Sequence, residues 1–355
     1  MNRVLSVAGS LAAKGVDGIL VANLRNVRYL SGFSGTSGCL LITKKLRIFC
    51  TDSRYEEQAK REVSGFDILI EREERPREII EKAKHAGIRT LGFESSVPYA
   101  FYRSLLRKGL RLKAVSNLVE ELRRTKSGIE MKHIQQAVLR AENAFREIVP
   151  FIRPGVTERH VALRLEESLR RHGCRSLPFE IIVAAGKNSA MPHGRPSDNR
   201  IRPSDFVIVD WGGESGGYYS DMTRTLLMDG KNLQKKKEIY ETVLMANIAA
   251  MASAGPGMTA RSVDKTARDI IKKAGYGDYF GHGTGHGVGL DVHELPRVSR
   301  FGRETLKPGM VFTVEPGIYI PGIGGVRIED MVHVERHGVR TLTSLPKKFG
   351  AAHRA

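Results

Sequence analysis

Asp210, Asp221, His286, Glu315 and Glu329 are the residues whose types and surroundings could do chemistry. Each falls in a segment that reads as a strand, a strand edge or a glycine-rich loop, the rigid kind of backbone that holds metal ligands. Four carboxylates and one imidazole form an oxygen-rich set able to neutralise two divalent cations. Such a set suits Mn, Co or Fe at least as well as Zn, which favours more nitrogen or sulfur. A bridged metal pair generates a nucleophile from water at neutral pH and clamps a hydrolytic transition state. The five residues therefore point to a two-metal hydrolase.

Their local settings differ in specificity. Val207–Trp211 reads as a buried strand that delivers Asp210. Glycines 212, 213, 216 and 217 turn the chain, and Tyr218–Leu227 reads as the returning strand carrying Asp221. The structural alternative is that one aspartate caps a turn while the other pairs with Arg224; Trp211 is expected in the core. Gly281–Glu294 is more specific, because alternating glycines let backbone approach a site closely and His282, His286 and His293 crowd one loop. Its glycine spacing is wrong for a dinucleotide fingerprint. Met310–Glu315 reads as a strand stopped by Pro316-Gly317, and Gly324–Asp330 as the start of the next. Period two puts Arg327 and Glu329 on one face there; the structural alternative for Glu329 is an ion pair with Arg327, and it is compatible with an arginine that orients a ligand carboxylate.

The elements that must position these residues divide the chain in two. Residues 1–122 alternate short apolar segments (Ile19–Ala22, Cys39–Ile42, Leu46–Thr51, Phe66–Ile70, Thr90–Phe93) with amphipathic ones (Arg54–Val63, Glu78–Lys84, Tyr99–Arg107), the pattern of an α/β domain. No Walker-type loop is present, and Gly32, Gly35 and Gly38 read as turn glycines. Ser116–Lys126 is the expected junction, followed by a long helix over Ile129–Phe151. Residues 123–355 then carry an internal echo. Pro154, Gly155, Thr157, Arg159, Val161 and Gly173 recur 102 residues later as Pro256, Gly257, Thr259, Arg261, Val263 and Gly275. A Pro-Gly turn, a Thr cap and a helix closed by glycine would make each copy locally, but only duplication of an αβ unit keeps the offset constant. Each half also supplies a histidine (His193; His293), a carboxylate at a strand end (Asp210; Glu315) and another after a turn (Asp221; Glu329). A site on the pseudo-two-fold axis is the prediction.

The bulk numbers bound the rest. With 355 residues, 41% hydrophobic and 27% charged, the chain suits two soluble domains, and no run approaches the roughly 20 apolar residues of a membrane span. Val4–Ala13 is interrupted by Ser6, Gly9 and Ser10, which favours a first helix over a signal peptide and a cytoplasmic protein. Cys39, Cys50 and Cys174 are too scattered for a disulfide framework and read as core residues. The net charge of +18 is unusual, yet its lysines and arginines are spread throughout without interleaved aromatics. Lys235–Lys237 and Lys347–Lys348 read as solvated helix and tail positions. A nucleic-acid role is disfavoured.

The motifs also carry a family resemblance. Phe179–Gly194, Asp210, Asp221, the His282–His286 loop, Thr313–Gly317 and Gly325–Asp330 resemble, in order, the signatures of the pita-bread metallopeptidases. Tyr29–Gly35 and Thr51–Tyr55 are similar to the creatinase-type N-terminal domain of the Xaa-Pro branch. The resemblance implies an α/β creatinase-like domain followed by an α+β pita-bread catalytic domain with internal pseudo-two-fold symmetry. It also implies a dimer, and a dinuclear centre, Mn foremost with Co, Fe or Zn as alternatives, in which Asp210 holds one ion, His286 and Glu315 the other, and Asp221 and Glu329 bridge. Hydrolysis before proline would follow, with Glu315 as proton shuttle, His193 and His293 near the developing oxyanion, and His282 further out. Arg297 would read the substrate carboxylate of a dipeptidase, unless it is a surface arginine; Arg327 would support a ligand. An Xaa-Pro aminopeptidase acting on longer peptides, another C–N hydrolase, and a non-enzymatic binding module on the same scaffold remain as alternatives. Creatinase itself lacks the ligands that are intact here.

Overall fold

The structure is a computed structural model that describes residues 3–72, 76–106 and 109–347. Arg107, at the end of an expected helix, and Lys348, in the expected basic tail, lie outside the described residues. The chain forms two compact units, Met1–Arg123 and Arg124–Ala355.

In the first unit, strands β1 (Gly18–Val21), β2 (Cys39–Thr43), β3 (Arg47–Thr51), β4 (Asp67–Ile70), β5 (Thr90–Glu94) and β6 (Arg111–Val115) form one mixed sheet in the order β4-β3-β2-β1-β5-β6. The hairpins β1–β2 and β2–β3 are antiparallel, and β4, β5 and β6 join in parallel. Helices α1 (Arg3–Ser10), α2 (Leu24–Ser31), α3 (Glu56–Glu62), α4 (Arg77–His85), α5 (Tyr99–Leu106) and α6 (Glu120–Arg123) accompany it. The central strands are buried along their whole length, and Leu20, Leu41, Ile79, Ile80 and Leu91 fill a core between sheet and helices. Cys39 and Cys50 face each other across β2 and β3 as buried free thiols, and Cys174 is likewise buried and free.

The second unit opens with α7 (Gly128–Ile148), started by a reciprocal capping box between Ser127 and Glu130. It continues as the sequence echo requires. Helix α8 (Glu158–Arg171) is capped by Thr157 and α10 (Ala260–Lys273) by Thr259, while α9 (Gln234–Ser253) precedes α10 as α7 precedes α8. Gly173 and Gly275 follow α8 and α10 at φ 92° and 85°, left-handed positions where glycine costs least. Thr157 bridges to Arg200 and Thr259 to Thr305, so each cap is tied to the segment that leads into a later strand of its own half.

Between the helix pairs run two sheets. Strands β7 (Ile182–Ala185), β8 (Phe206–Trp211) and β11 (Met222–Leu227) pair antiparallel in the order β11-β8-β7, with the small hairpin β9 (Glu214–Ser215) and β10 (Tyr218–Tyr219) beside them. The other half has β12 (Gly285–Gly287), β13 (Glu294–Val298), β14 (Val311–Val314), β17 (Asp330–Glu335) and β18 (Gly338–Thr341), ordered β13-β12-β14-β17-β18. A hairpin of β15 (Gly317–Ile320) and β16 (Gly324–Arg327) completes it. Phe312, Val314, Val326 and Val332 pack with Ile239, Val243, Val263 and Ile271 of α9 and α10 into the main core. Trp211 is buried, stacks on Phe145 at 4.2 Å and donates its indole N–H to Ala141 O at 3.0 Å.

Three local expectations need correction. The strand read over Tyr218–Leu227 is two strands, and Ser220 and Asp221 lie in the break, because β10 pairs with β9 while β11 pairs with β8. The strand read over Gly324–Asp330 is likewise broken at Ile328 and Glu329. The basic runs are less solvated than expected. Lys235 is exposed, but half-buried Lys236 donates to Ser204 O, and Lys347 pairs with buried Asp330 at 2.9 Å.

Candidate metal centre

Both breaks place a carboxylate where the backbone has just left a ladder, so the side chain turns inward instead of alternating along a strand. Asp210 comes from β8, Asp221 from the β10–β11 break, Glu329 from the β16–β17 break, and Glu315 from the residue after β14. His286 sits at the middle of β12. Its neighbours must be glycine there: a Cβ on Gly285 would fall 1.9 Å from Thr313 O and one on Gly287 would fall 2.1 Å from Leu295 O. The alternating glycines thus let β12 lie against the backbone on both sides.

One ligand atom each of Asp221, His286 and Glu329 lie within 4.8 Å of one another. His286 Nε2 stands 3.3 Å from Glu315 Oε1 and 3.6 Å from Asp221 Oδ2. Its Nδ1 lies 3.1 Å from Gly287 O, a contact that favours the proton on Nδ1 and leaves the Nε2 lone pair directed at the carboxylates. Arg327 Nη2 donates to Asp210 Oδ2 at 2.5 Å, and Arg327 Nε donates to Thr223 Oγ1 at 3.0 Å. Thr223 Oγ1 in turn donates to Glu329 Oε2 at 2.8 Å. The Arg327–Glu329 ion pair is therefore replaced: the guanidinium takes Asp210 and reaches Glu329 through a threonine. Arg224 pairs with Asp330 at 2.9 Å and donates to Glu329 O, so it is not the partner of either aspartate in the cavity.

The electrostatics leave the acids under-compensated. Burial, then repulsion from Glu329 and Asp210, pushes the Asp221 carboxyl well above its ordinary value; burial, then repulsion from Glu315 and Asp210, does the same to Glu329. Burial also raises Asp210 despite Arg327. Burial acts against ionised Glu315 too, yet its contact with His286 wins and holds it down at about 2. Two carboxylate oxygens, Asp210 Oδ1 and Glu329 Oε1, are buried with no hydrogen-bond partner. Such orphan acceptors are costly unless a cation completes them, so the donor set fits divalent metal ions.

All ten residues singled out in the sequence line one cavity of about 520 Å³: Asp210, Asp221, His286, Glu315, Glu329, His193, His282, His293, Arg297 and Arg327. They do not stand alike within it. His193, His293 and Arg297 are exposed at its mouth, whereas His282 is half-buried and held by Tyr319 OH and Gly283 O at 2.9 and 2.8 Å. Burial holds both His282 and His293 below the ordinary imidazole value. The His293 ring lies 4.2 Å from that of His286. Arg297 is the cross-strand partner of His286 in the β12–β13 ladder. Sequence reading missed Arg195, Phe179 and Ser299 on the same wall. It also missed Thr223 and Tyr319, which tie Arg327 in place. Arg195 could have been found from its position two residues beyond His193; the others carried no local signal.

A lone α/β domain ahead of a duplicated α+β domain, with a carboxylate cavity between the two repeats, defines the class of pita-bread metallopeptidases. Comparison with known proteins agrees: residues 132–336 match metallopeptidase family M24, and residues 3–125 match the creatinase/prolidase N-terminal domain. The chain belongs to metallopeptidase family M24. It is 40% identical over 351 residues to an Xaa-Pro dipeptidase of Pyrococcus horikoshii, covering 98% of both chains. Among solved structures, an Xaa-Pro dipeptidase from Bacillus anthracis superposes with TM-score 0.95 at 42% identity, covering 98% of each chain. An X-Pro aminopeptidase from Thermotoga maritima superposes with TM-score 0.86 at 34% identity, covering 98% of this chain and 99% of that one. No helix among the described residues is long and apolar enough to cross a membrane.

Proposed function

We propose that this chain hydrolyses the peptide bond preceding proline, as an Xaa-Pro dipeptidase, in a catalytic domain spanning residues 123–355 that follows a creatinase-like domain spanning 1–122. The observation that carries the reading is the convergence of four carboxylates and His286, with two orphan carboxylate oxygens, at the floor of a cavity whose mouth holds two histidines and two arginines. Asp210 would hold one ion, His286 and Glu315 the other, and Asp221 and Glu329 both. Two divalent cations bound there would supply a nucleophilic water at neutral pH and polarise the scissile carbonyl.

The remaining work falls to the chain. Arg327 fixes Asp210, and Thr223 fixes Glu329, so both carboxylates are oriented before substrate arrives. Glu315 takes the proton released by the attacking water and delivers it to the leaving nitrogen. His193 and His293, able to donate N–H, face the oxygen on which charge develops; one such donor is worth about 3 kcal/mol. His282 is held by Tyr319 and stands behind the mouth histidines. Arg297, exposed at the mouth beside His286, pairs with the proline carboxylate, which favours a dipeptide over a longer chain. Mn is the proposed ion, because the donor set is oxygen-rich. A cytoplasmic homodimer is proposed from the family resemblance, the location also from three buried, unoxidised cysteines.

The test is cleavage of Ala-Pro and Ala-Pro-Ala by the Mn-loaded protein. Preference for Ala-Pro that disappears in Arg297→Ala supports the dipeptidase. Preference for the tripeptide replaces it with an aminopeptidase, and no cleavage of either with Mn bound refutes hydrolysis before proline.

A further inference from the structure

Glu158, the first residue of α8, is a fully buried carboxylate with no cationic partner among the described residues, and it is not part of the cavity lining. Its oxygens are nevertheless saturated by one segment of chain. Oε1 accepts from Ala185 N at 2.8 Å, Asn199 Nδ2 at 2.9 Å and Asn188 Nδ2 at 3.0 Å. Oε2 accepts from Ser197 Oγ at 2.6 Å, Ser197 N at 3.0 Å and, more weakly, Asn188 Nδ2 at 3.2 Å. The helix start adds two backbone bonds to the same segment, Glu158 N to Asn199 O and Arg159 N to Ser197 O. Every anchor therefore lies at or before Asn188, or at or after Ser197.

What lies between the anchors is the stretch 189–196, of which Pro192, His193, Arg195 and Pro196 line the cavity, while Ser189 at its start is held separately by Gly325 N, which donates to its Oγ at 2.8 Å. The stretch is tethered from inside by Arg327 Nη1, which donates to Pro192 O at 3.1 Å. His193 itself is exposed, and its ring forms no hydrogen bond or ion pair among the described residues, so its place depends on how its loop is held. The second repeat holds its histidine loop by an analogous device on the matching helix. Asp264 of α10, buried, accepts from Thr284 N at 3.1 Å and Thr284 Oγ1 at 2.8 Å. Arg268, paired with Asp264, donates to Phe280 O and His282 O. Each repeat thus uses a buried acid on its second helix to hold a histidine loop, at both ends in the first repeat and at its start, residues 280–284, in the second.

We propose that Glu158 is a positioning residue for His193: its buried carboxylate closes the 185–199 loop and thereby sets the mouth histidine over the metal centre. This rests on the proposed peptidase reading for its kinetic consequence, though not for its structural one. Glu158→Gln preserves the shape but points an amide N–H₂ at donors of Ser197 or Ala185, so one end of the loop is released.

The experiment combines Glu158→Gln, His193→Ala and the double variant in the Mn-loaded full chain, with Ala-Pro kinetics, Mn titration of the metal-free protein, and hydrogen exchange. His193→Ala is expected to lower kcat about 100-fold, and Glu158→Gln about tenfold through misplacement of the same group. KM and Mn affinity should stay within about threefold. The double variant should fall no more than about twofold below His193→Ala, because the two changes remove one function. Reductions that multiply, or Mn affinity falling in step with kcat, would overturn the proposal by making Glu158 a general support of the fold. Exchange separates this from the functional reading. Faster exchange confined to residues 186–199 in Glu158→Gln supports the loop role even in a protein that cleaves no peptide, and unchanged exchange there refutes it. Ser197→Ala, which removes one donor from the same carboxylate, carries the identical test if Glu158→Gln does not fold.

Discussion

Arg327 offers the most demanding test of how the metal centre is held together. The residue is buried, and its guanidinium serves four acceptors in four directions: Asp210 Oδ2, Thr223 Oγ1, Tyr319 OH at 2.9 Å and Pro192 O at 3.1 Å. Arg327→Lys keeps the charge and loses the fork. An ammonium on a shorter reach serves Asp210 or the Tyr319–Pro192 pair, but it has no counterpart of Nε for Thr223. At least one buried acceptor is then unpaired, at about 1–3 kcal/mol each. Thr223 also loses the contact that fixes its hydroxyl toward Glu329. The cost divides between folding and metal binding. Loss of a group that orients a metal ligand typically weakens affinity about 10–100-fold, or about 1.4–2.7 kcal/mol. Calorimetric titration of metal-free Arg327→Lys with Mn should therefore show affinity reduced within that range, together with a lower Tm for the metal-free protein. Affinity within twofold of the parent chain would refute the argument, because it would mean that Asp210 and Glu329 are correctly placed without the guanidinium.

Two further outcomes follow from the packing and the charges. Gly285→Ala places a methyl 1.9 Å from Thr313 O, so β12 must part from its neighbour. A stability loss of about 3 kcal/mol by denaturant titration, with weakened Mn binding through displaced His286, is expected; an unchanged midpoint would contradict the close approach. In the first unit, burial raises Glu94 to about 7 although Asn23 N, Asn26 Nδ2 and Ala22 N all donate to it. Its folded value thus lies above an unfolded one of about 4.3, so its contribution is fully present below pH ~4.3 and is lost as pH rises through ~7, at about 4 kcal/mol in all. Denaturation from pH 5 to 8 should show that loss in the parent chain and not in Glu94→Gln, and equal pH dependence in both would sink the assignment.

The sequence made the cavity floor legible because each of its carboxylates is announced by local punctuation: Pro316-Gly317 after Glu315, the glycine cluster between Asp210 and Asp221, Gly324-Gly325 before Glu329. The duplication was legible for the same reason, since caps and terminating glycines are local chemistry. Strand β6 was not, because Arg111–Val115 is an edge strand with mostly exposed side chains and only four residues of polar–apolar alternation. Helix α2 escaped because only eight residues separate Asn23, whose side chain caps it, from Gly32. Partners were the least legible. Arg327 and Glu329 are two residues apart and suggested a pair, yet the broken strand turns them apart and Arg327 meets Asp210, 117 positions away in sequence. The bonds of Glu158 and Asp264 were invisible for the same reason.

The distribution of positive charge explains why the floor needs metal where it does. Each repeat contributes one carboxylate with a cationic or proton-sharing neighbour: Asp210 has Arg327, and Glu315 has His286, which is closer to it than to Asp221. Notably, the partner in the first pair comes from the other repeat, so the repeats are interlocked by charge across the pseudo-axis. Asp221 has only the more distant His286, at 3.6 Å, and Glu329, among the described residues, has only a threonine hydroxyl and keeps one orphan oxygen. They are also the two whose protonation burial and mutual repulsion favour most strongly. A cation between them removes more electrostatic cost than one placed at either paired carboxylate, because there is less existing compensation to displace. The duplication thus sets four carboxylates in comparable places, and Arg327 with His286 breaks the equivalence by pairing with Asp210 and Glu315, although Asp210 Oδ1 stays without a hydrogen-bond partner. Asp221 and Glu329 are left with the least compensation short of taking up protons, which suits the bridging role proposed for them.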